Sequence, residues 1–426
     1  MRAKISIVGG GIMGTALAAR LARRTDCLRD PVVLFERDHL GAGSSGLSGA
    51  ILRQIYGDRR LALMARDSLR VYSGFELRTG RPIGFTRTGV LSIVGPDQAE
   101  WQERLGAILA ELREHGIDIR AVDADEMRDL VPGIEVADGA LGAFEPDGGF
   151  VDPVATVDAF AGLARSRGAV TRLGSPVERV LVENGRAVGV RVDGEDVPSE
   201  IVVLTGGPWT GSLLAELGIE IPLRIVVPEN AFLAMPREDP CAEEEQPATG
   251  LAAFADCLDP FLSVAAVEAS PPPGMHPVLI DIERGIYARC EPASVRTRVG
   301  RLDYEGDAVI ETPEQRPAEP SAELCAWGRE RLAGRLPVYE HREDAGGITA
   351  WYTLTPDAQP VIGPAPGIEG LFLATGFSGH GFKLAPSVAE GLEEMISGHP
   401  VTAFDPELFA PDRFTGNEAW GGQFGL

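Results

Sequence analysis

The chain has 426 residues, 44% hydrophobic and 24% charged, the balance of a folded protein and more than one hydrophobic core usually serves. Its net charge of -24 argues against nucleic acid and anionic lipid as partners, because the only basic clusters are short pairs such as Arg23–Arg24 and Arg59–Arg60. Five scattered Cys without C-x-x-C and six His without H-E-x-x-H indicate neither a disulfide framework nor a metal site. No apolar run reaches the length of a membrane span. A strand that begins by Ile5 leaves no room for a signal peptide, so a soluble, cytoplasmic protein is expected.

Ile5-Ser-Ile-Val8 reads as a short buried strand. It runs into Gly9-Gly-Gly-Ile-Met-Gly14, a G-x-G-x-x-G pattern through Gly9, Gly11 and Gly14, and residues 15–24 then have helical spacing. A second apolar strand, Val32–Phe35, ends in Glu36, 22 positions beyond Gly14, where a ribose-binding carboxylate belongs. Glycines let the backbone approach a pyrophosphate, and a helix N-terminus offers free N–H groups and a positive dipole end. This unit predicts dinucleotide binding, with Met13 and Arg37 beside the glycines and Glu36. A small-residue loop follows at 41–49, where Ser44 and Ser45 are placed to donate to phosphate. A nicotinamide enzyme has no evident use for it, whereas a larger cofactor could be wrapped by it.

Residues 59–78 and 97–115 read as amphipathic helices around a strand at Gly89–Val94. Gly148–Pro153 is a loop whose proline opens a helix over 154–167. Val177–Val182 and Ala187–Val192 form a hairpin around Asn184-Gly185, with Val177 assigned to the cofactor side. Ile201–Gly207 is another buried strand ending in glycines, Gly206 among the cofactor candidates, with a helix after Pro208-Trp209. Residues 221–235 and 277–290 alternate like sheet strands. Residues 236–276 are rich in Pro and Glu and read as an insertion, and 305–320 is a second polar, Pro-rich stretch. Leu371–Gly376 is then a strand running into Phe377-Ser-Gly-His-Gly-Phe-Lys-Leu-Ala385 and a helix to about Ser397. Two glycine-ended strand–helix units nearly 370 residues apart call for a long nucleotide. FAD meets that need, its diphosphate on the first unit and its isoalloxazine on the second, beside Gly379, Gly381, Phe382 and Lys383. Only Lys4 and Lys383 are lysines among 39 basic residues, which singles out the one inside this phrase. His380 reads more as a packing or backbone partner than as a proton carrier.

Gly9–Gly14, Glu36, Gly41–Arg53, Gly148–Pro153, Val202–Trp209 and Thr355–Lys383, in this order, resemble the D-amino-acid oxidase superfamily of FAD enzymes. The phrases GFSGHGFK and YTLTPD are similar to those of its glycine oxidase and sarcosine oxidase branch, and the resemblance spans about residues 3–400. It implies an α/β fold in which a Rossmann-like FAD-binding domain is interleaved with an α+β substrate domain on a mainly antiparallel sheet. The FAD domain is expected from 1–80, 148–215 and 345–400, the substrate domain from 81–147 and 216–344, and 401–426 forms a C-terminal tail. The implied chemistry removes a hydride from the carbon next to the amine of an amino acid or N-alkyl amino acid, delivers it to flavin N5, and leaves an imine that hydrolyses. The family's carboxylate-holding Arg and Lys correspond to Arg53 and Lys383, and a pocket tyrosine to Tyr352. Tyr287 reads equally as pocket or core, with Ala288 where the branch has a pocket aromatic. A second family Arg is Ala50 here. The covalent Cys position is Ala350, so non-covalent FAD is expected. The oxygen-activating Lys falls near Arg298, leaving O2 or another carrier as electron acceptor. Arg53 has an alternative reading as a solvated helix-start residue. Two other functions stay open: an FAD-dependent 2-hydroxy-acid dehydrogenase, and an FAD-containing subunit of a larger electron-transfer complex.

Overall fold

The computed structural model describes residues 3–236 and 274–414 apart from 25, 26, 28 and 305, together with 416, 418 and 420. Most of the insertion expected at 236–276, residues 237–273, therefore lies outside the described residues. Among the described residues no helix is long and apolar enough to cross a membrane.

Six strands form the first sheet, in the order Val361–Pro364, Leu371–Thr375, Ile201–Leu204, Ile5–Val8, Val32–Phe35, Val170–Arg172. Every neighbouring pair is parallel except the first, which is antiparallel. Its strands are short apolar runs because both faces are covered. On one face Ile5, Ile7 and Val203 pack with the helices Ile12–Arg24, Arg59–Ser73, Pro153–Ser166 and Gly381–Ile396. On the other, Val8, Val202 and Leu204 meet a three-stranded antiparallel sheet of Val177–Glu183, Arg186–Val192 and Glu195–Pro198. The hairpin turns at Asn184 and Gly185, both at positive φ (50° and 74°), the backbone a two-residue turn of this hand requires.

The second sheet has eight strands: Asp344–Thr349, Glu229–Ala234, Arg296–Arg301, Ile286–Glu291, Val278–Asp281, Val90–Val94, Leu141–Glu145 and Arg120–Val122. Neighbours run antiparallel except Val278–Asp281 beside Val90–Val94. Leu91, Leu279, Ala288 and Val299 face helix Leu324–Ala333 and its surroundings. The opposite face carries Ile280 and Tyr287 toward the first core.

Two expected elements differ in detail. The helix expected over 59–78 breaks at Gly74 into Arg59–Ser73 and Phe75–Thr79. Arg78 is buried and folds back to donate to the Arg70 carbonyl at 2.7 Å, and a Cβ on residue 74 would meet its guanidinium at 1.9 Å. The alternation at 221–235 is two strands in two sheets, because Pro228 separates Arg224–Val227, paired with Ala308–Ile310 and Tyr352–Leu354, from Glu229–Ala234.

Candidate active site

The first helix starts where strand Ile5–Val8 stops. A Cβ on Gly14 would come within 2.0 Å of the Gly9 carbonyl oxygen, and one on Gly11 within 2.9 Å of Ser45 Oγ. The glycines thus let helix, strand end and serine loop close on one another. Ser45 Oγ accepts the Ile12 N–H at 2.9 Å. Glu36 is held at the end of its strand by the Gly10 N–H (2.7 Å) and the Asp38 N–H (2.9 Å), one on each carboxylate oxygen.

The second glycine-ended turn is fixed from two directions. Ser378 has a left-handed backbone, φ 47°, a conformation side chains seldom take. Its N–H donates to the Thr353 carbonyl at 2.9 Å, its Oγ accepts from Thr355 N–H at 3.2 Å, and its carbonyl accepts the Tyr304 hydroxyl at 2.5 Å. The TLTP phrase therefore grips the turn that starts helix Gly381–Ile396. A Cβ on Gly381 would lie 3.3 Å from the Met13 Cε, so the two helix starts meet.

Between them lies a cavity of about 340 Å³. Gly9, Gly11, Met13, Glu36, Arg37, Ser44, Ser45, Val177, Gly206, Gly379, Gly381 and Phe382 line it, as do Ala350 and Tyr352. Two residues expected against the cofactor do not. Gly14 lies behind Gly9, where the missing Cβ serves helix–strand packing. Lys383 is one step farther along the helix and lines a second, smaller cavity of about 50 Å³. Arg53, Tyr287, Tyr352, Ile280 and Leu302 share that smaller cavity, and Gly49, Gly379 and Phe382 border both.

Arg53 is 4% exposed, which excludes the solvated reading. Its guanidinium lies over the Tyr56 ring, 4.6 Å from the centroid, and donates to the Ile55 carbonyl. Lys383 is 7% exposed and has no hydrogen-bond or ion-pair partner among the described residues. Burial, then the Arg53 charge, hold its ammonium well below the ordinary lysine range, while Glu145 acts in the opposite sense. The Tyr287 hydroxyl donates to Asn230 Oδ1 at 2.9 Å, and Gly300 across the strand pair makes room for its ring: a Cβ there would lie 2.4 Å from Tyr287 Cζ. His380 is buried, 3.3 Å from the Tyr56 hydroxyl through Nδ1, and burial followed by Lys383 and Arg53 hold it well below the usual histidine range.

Arg298 lines neither cavity. It donates to Glu291 Oε1 (2.7 Å), the Leu47 carbonyl (2.8 Å) and Asn230 Oδ1 (2.9 Å). Arg289 reaches the same glutamate and the Gly49 carbonyl. Buried among these cations, the Glu291 carboxyl is shifted down to about 2, against the desolvation that opposes its charge. The three side chains tie the second sheet to the 47–49 loop that both cavities share.

Several residues were missed by sequence reasoning. Trp209 and Trp351 also line the larger cavity and pack edge to face at 5.3 Å. Arg37 stacks on Trp209 at 4.6 Å, and Glu314, from the Pro-rich stretch, accepts from both Trp209 Nε1 (2.7 Å) and Arg37 (3.3 Å). Trp351 Nε1 donates to the Pro313 carbonyl at 2.9 Å. Glu145 is buried and accepts the N–H of Gln54, next to Arg53 in the chain. Apart from the Trp209 that follows the glycine pair, none carries a local motif.

The cradle suits a dinucleotide with an extended second half. Glycine and serine backbone approach one end, a carboxylate stands at the strand end, and a second helix start faces the other end. Comparison with known proteins agrees. The chain is 27% identical over 421 residues to 4-methylaminobutanoate oxidase (formaldehyde-forming) of Paenarthrobacter nicotinovorans, covering 97% of this chain but 46% of that protein. It is 26% identical to the peroxisomal sarcosine oxidase of Homo sapiens, covering 96% of this chain and 95% of that one. The crystal structure of L-proline dehydrogenase from P. horikoshii superposes with a TM-score of 0.80 at 22% identity, over 98% of this chain and 99% of that one. The chain thus spans about half the length of the first of these relatives and nearly all of the others. The family model for FAD dependent oxidoreductases matches residues 4–395, and the chain belongs to that family.

Proposed function

We propose that the protein oxidises a small amine that carries a carboxylate, at the carbon next to nitrogen, with FAD held non-covalently in the larger cavity and the substrate in the smaller one. The observation that carries this reading is the pairing of Arg53 and Lys383, two buried cations on one small cavity that opens beside Gly379 and Phe382. A buried cation without a protein partner is costly, and a ligand carboxylate relieves it. Sarcosine oxidation and 4-methylaminobutanoate oxidation, named for relatives of this chain, both act on amines bearing a carboxylate.

Gly9, Gly11, Ser44, Ser45 and Glu36 would hold the nucleotide half of FAD, and the Gly379–Phe382 turn the ring half. When bound, FAD supplies the acceptor for two electrons and the hydrogen of the C–H bond. The chain's own residues do the rest. The Arg53 fork and the Lys383 ammonium anchor the carboxylate and so fix which hydrogen faces the cofactor. Tyr352 and Tyr287, with Ile280 and Leu302, close the cavity and keep water from it. A neutral His380 beside two cations adds no third positive charge that would repel a protonating amine. Ala350 offers no nucleophile to a flavin.

The test is anaerobic addition of amino acids, N-methyl amino acids and 2-hydroxy acids to the FAD-loaded enzyme. Amines are expected to bleach the flavin band and yield a carbonyl product with ammonia or a primary amine. Bleaching by 2-hydroxy acids alone would replace the amine reading.

A further inference from the structure

Two cations, Arg53 and Lys383, converge on the small cavity, and both are buried. Glu145, at the end of strand Leu141–Glu145, is 1% exposed, and its carboxylate meets the backbone of the residue that follows Arg53. Its Oε2 accepts the Gln54 N–H at 2.5 Å, and its Oε1, closed off from solvent, has no hydrogen-bond partner among the described residues. Glu145 does not line the cavity, so it does not touch what the cavity holds. Arg53 and Lys383 are the cations that act on it. Tyr56 and His380 complete the group: burial keeps the phenol protonated, and burial with the two cations keeps the imidazole neutral. A buried carboxylate with an unsatisfied oxygen persists where neighbouring cations compensate it.

We propose that Glu145 is a positioning residue of the carboxylate site: the buried counter-anion of Arg53 and Lys383, leaving the pocket one positive charge, the complement of a single substrate carboxylate. The proposal rests on the carboxylate-bearing amine reading above. Its consequence concerns Lys383. Burial and Arg53 press this lysine to give up its proton, and Glu145 opposes them. A lysine whose pKa is lowered holds an anion below that pKa and loses it as pH rises through it. Glu145 therefore extends the range over which the pocket binds a carboxylate. Burial, resisted by backbone N–H groups and by Arg53 and Lys383, raises the Glu145 carboxyl itself to about 7, so it serves as the counter-anion above neutrality.

The experiment titrates acetate into the FAD-loaded enzyme from mildly acid to alkaline pH and follows the flavin absorbance. Native enzyme should bind acetate most tightly at the acid end, where Glu145 is protonated, and lose it above a break on the alkaline side. Glu145→Gln should move that break down by about one pH unit or more, a roughly tenfold weaker affinity at a fixed pH above it, and leave binding at the acid end undiminished. Glu145→Asp, which keeps the charge, should restore the native break. An unmoved break in Glu145→Gln, or weakening by the same factor at every pH, overturns the proposal. Should Glu145→Gln not fold, it is made in the Lys383→Met background, where the surplus positive charge is gone and folding is expected. Failure to fold in both backgrounds makes Glu145 a packing residue and also overturns it. Native enzyme that binds no acetate at any pH contradicts the carboxylate reading itself, whereas native binding with an unmoved break contradicts the role of Glu145 alone.

Discussion

Arg53 has one guanidinium nitrogen on the Ile55 carbonyl and its face on the Tyr56 ring, which fixes the fork in place, and its other nitrogens have no hydrogen-bond partner among the described residues. A planar fork so oriented suits a carboxylate better than a flexible cation does. Arg53→Ala should lower kcat/KM for the best amino-acid substrate by about 2–4 kcal/mol, roughly 30- to 1,000-fold, the scale of losing one partner of a buried charged pair. FAD content should hold, because Arg53 lines only the smaller cavity. Steady-state kinetics with flavin quantitation checks this, and unchanged kcat/KM would remove Arg53 from the site. Arg53 and Lys383 were both legible in the sequence, the first through a family position and the second through the rarity of lysine and its place in the GHGFK phrase. Glu145 was not. It stands in no motif, and its place beside the candidate site comes from a contact with Gln54, 91 positions away in the chain.

At the scale of elements, the glycine-rich starts of helices Ile12–Arg24 and Gly381–Ile396 could be read from composition, since strand, glycines and helix follow one another locally. What holds the second start in shape could not. Ser378 is gripped by Thr353, Thr355 and Tyr304, and only folding brings the last of these to the turn. The stretch at 305–320 reads only as polar and Pro-rich, yet its turn Pro313–Gln315 crosses to Trp209, Arg37 and Trp351 on the wall of the larger cavity. Polar composition marks a loop as exposed and carries no information about which cavity it closes. If this turn retains the nucleotide, Glu314→Ala should speed FAD dissociation. The carboxylate is more than half exposed and its contacts are a surface network, so the gain is small, about 1 kcal/mol or some fivefold in rate. Flavin fluorescence recovered on dilution measures it, and an unchanged rate would leave the turn a purely structural strap.

At the scale of the molecule, the chain passes back and forth between a parallel sheet buried on both faces and an eight-stranded, mainly antiparallel sheet. The Gly49 loop lies at the seam, held by Arg289 and Arg298 through Glu291. The Arg298 fork, which the resemblance sets near an oxygen-activating lysine, is engaged in this clamp. Short apolar runs made four strands of the first sheet visible from the sequence, and Val90–Val94, Glu229–Ala234, Val278–Asp281 and Ile286–Glu291 of the second; Val170–Arg172, Val361–Pro364, Arg120–Val122, Leu141–Glu145, Arg296–Arg301 and Asp344–Thr349 were not. The strand order, and the splitting of 221–235 at Pro228 between two sheets, depended on pairings between distant segments, such as Val202 with Leu371 and Arg224 with Leu354. On the function proposed above, FAD in the larger cavity accepts electrons from an amine anchored by its carboxylate in the smaller one. Anaerobic bleaching of the flavin by an N-methyl amino acid, set against the N-methylamide of the same acid, tests it most directly. The acid should bleach the band, and the amide, which has lost the charge that Arg53 and Lys383 hold, should do so at least about 30-fold more slowly at equal concentration. Equal rates for acid and amide, or no bleaching by any amine, would contradict the claim.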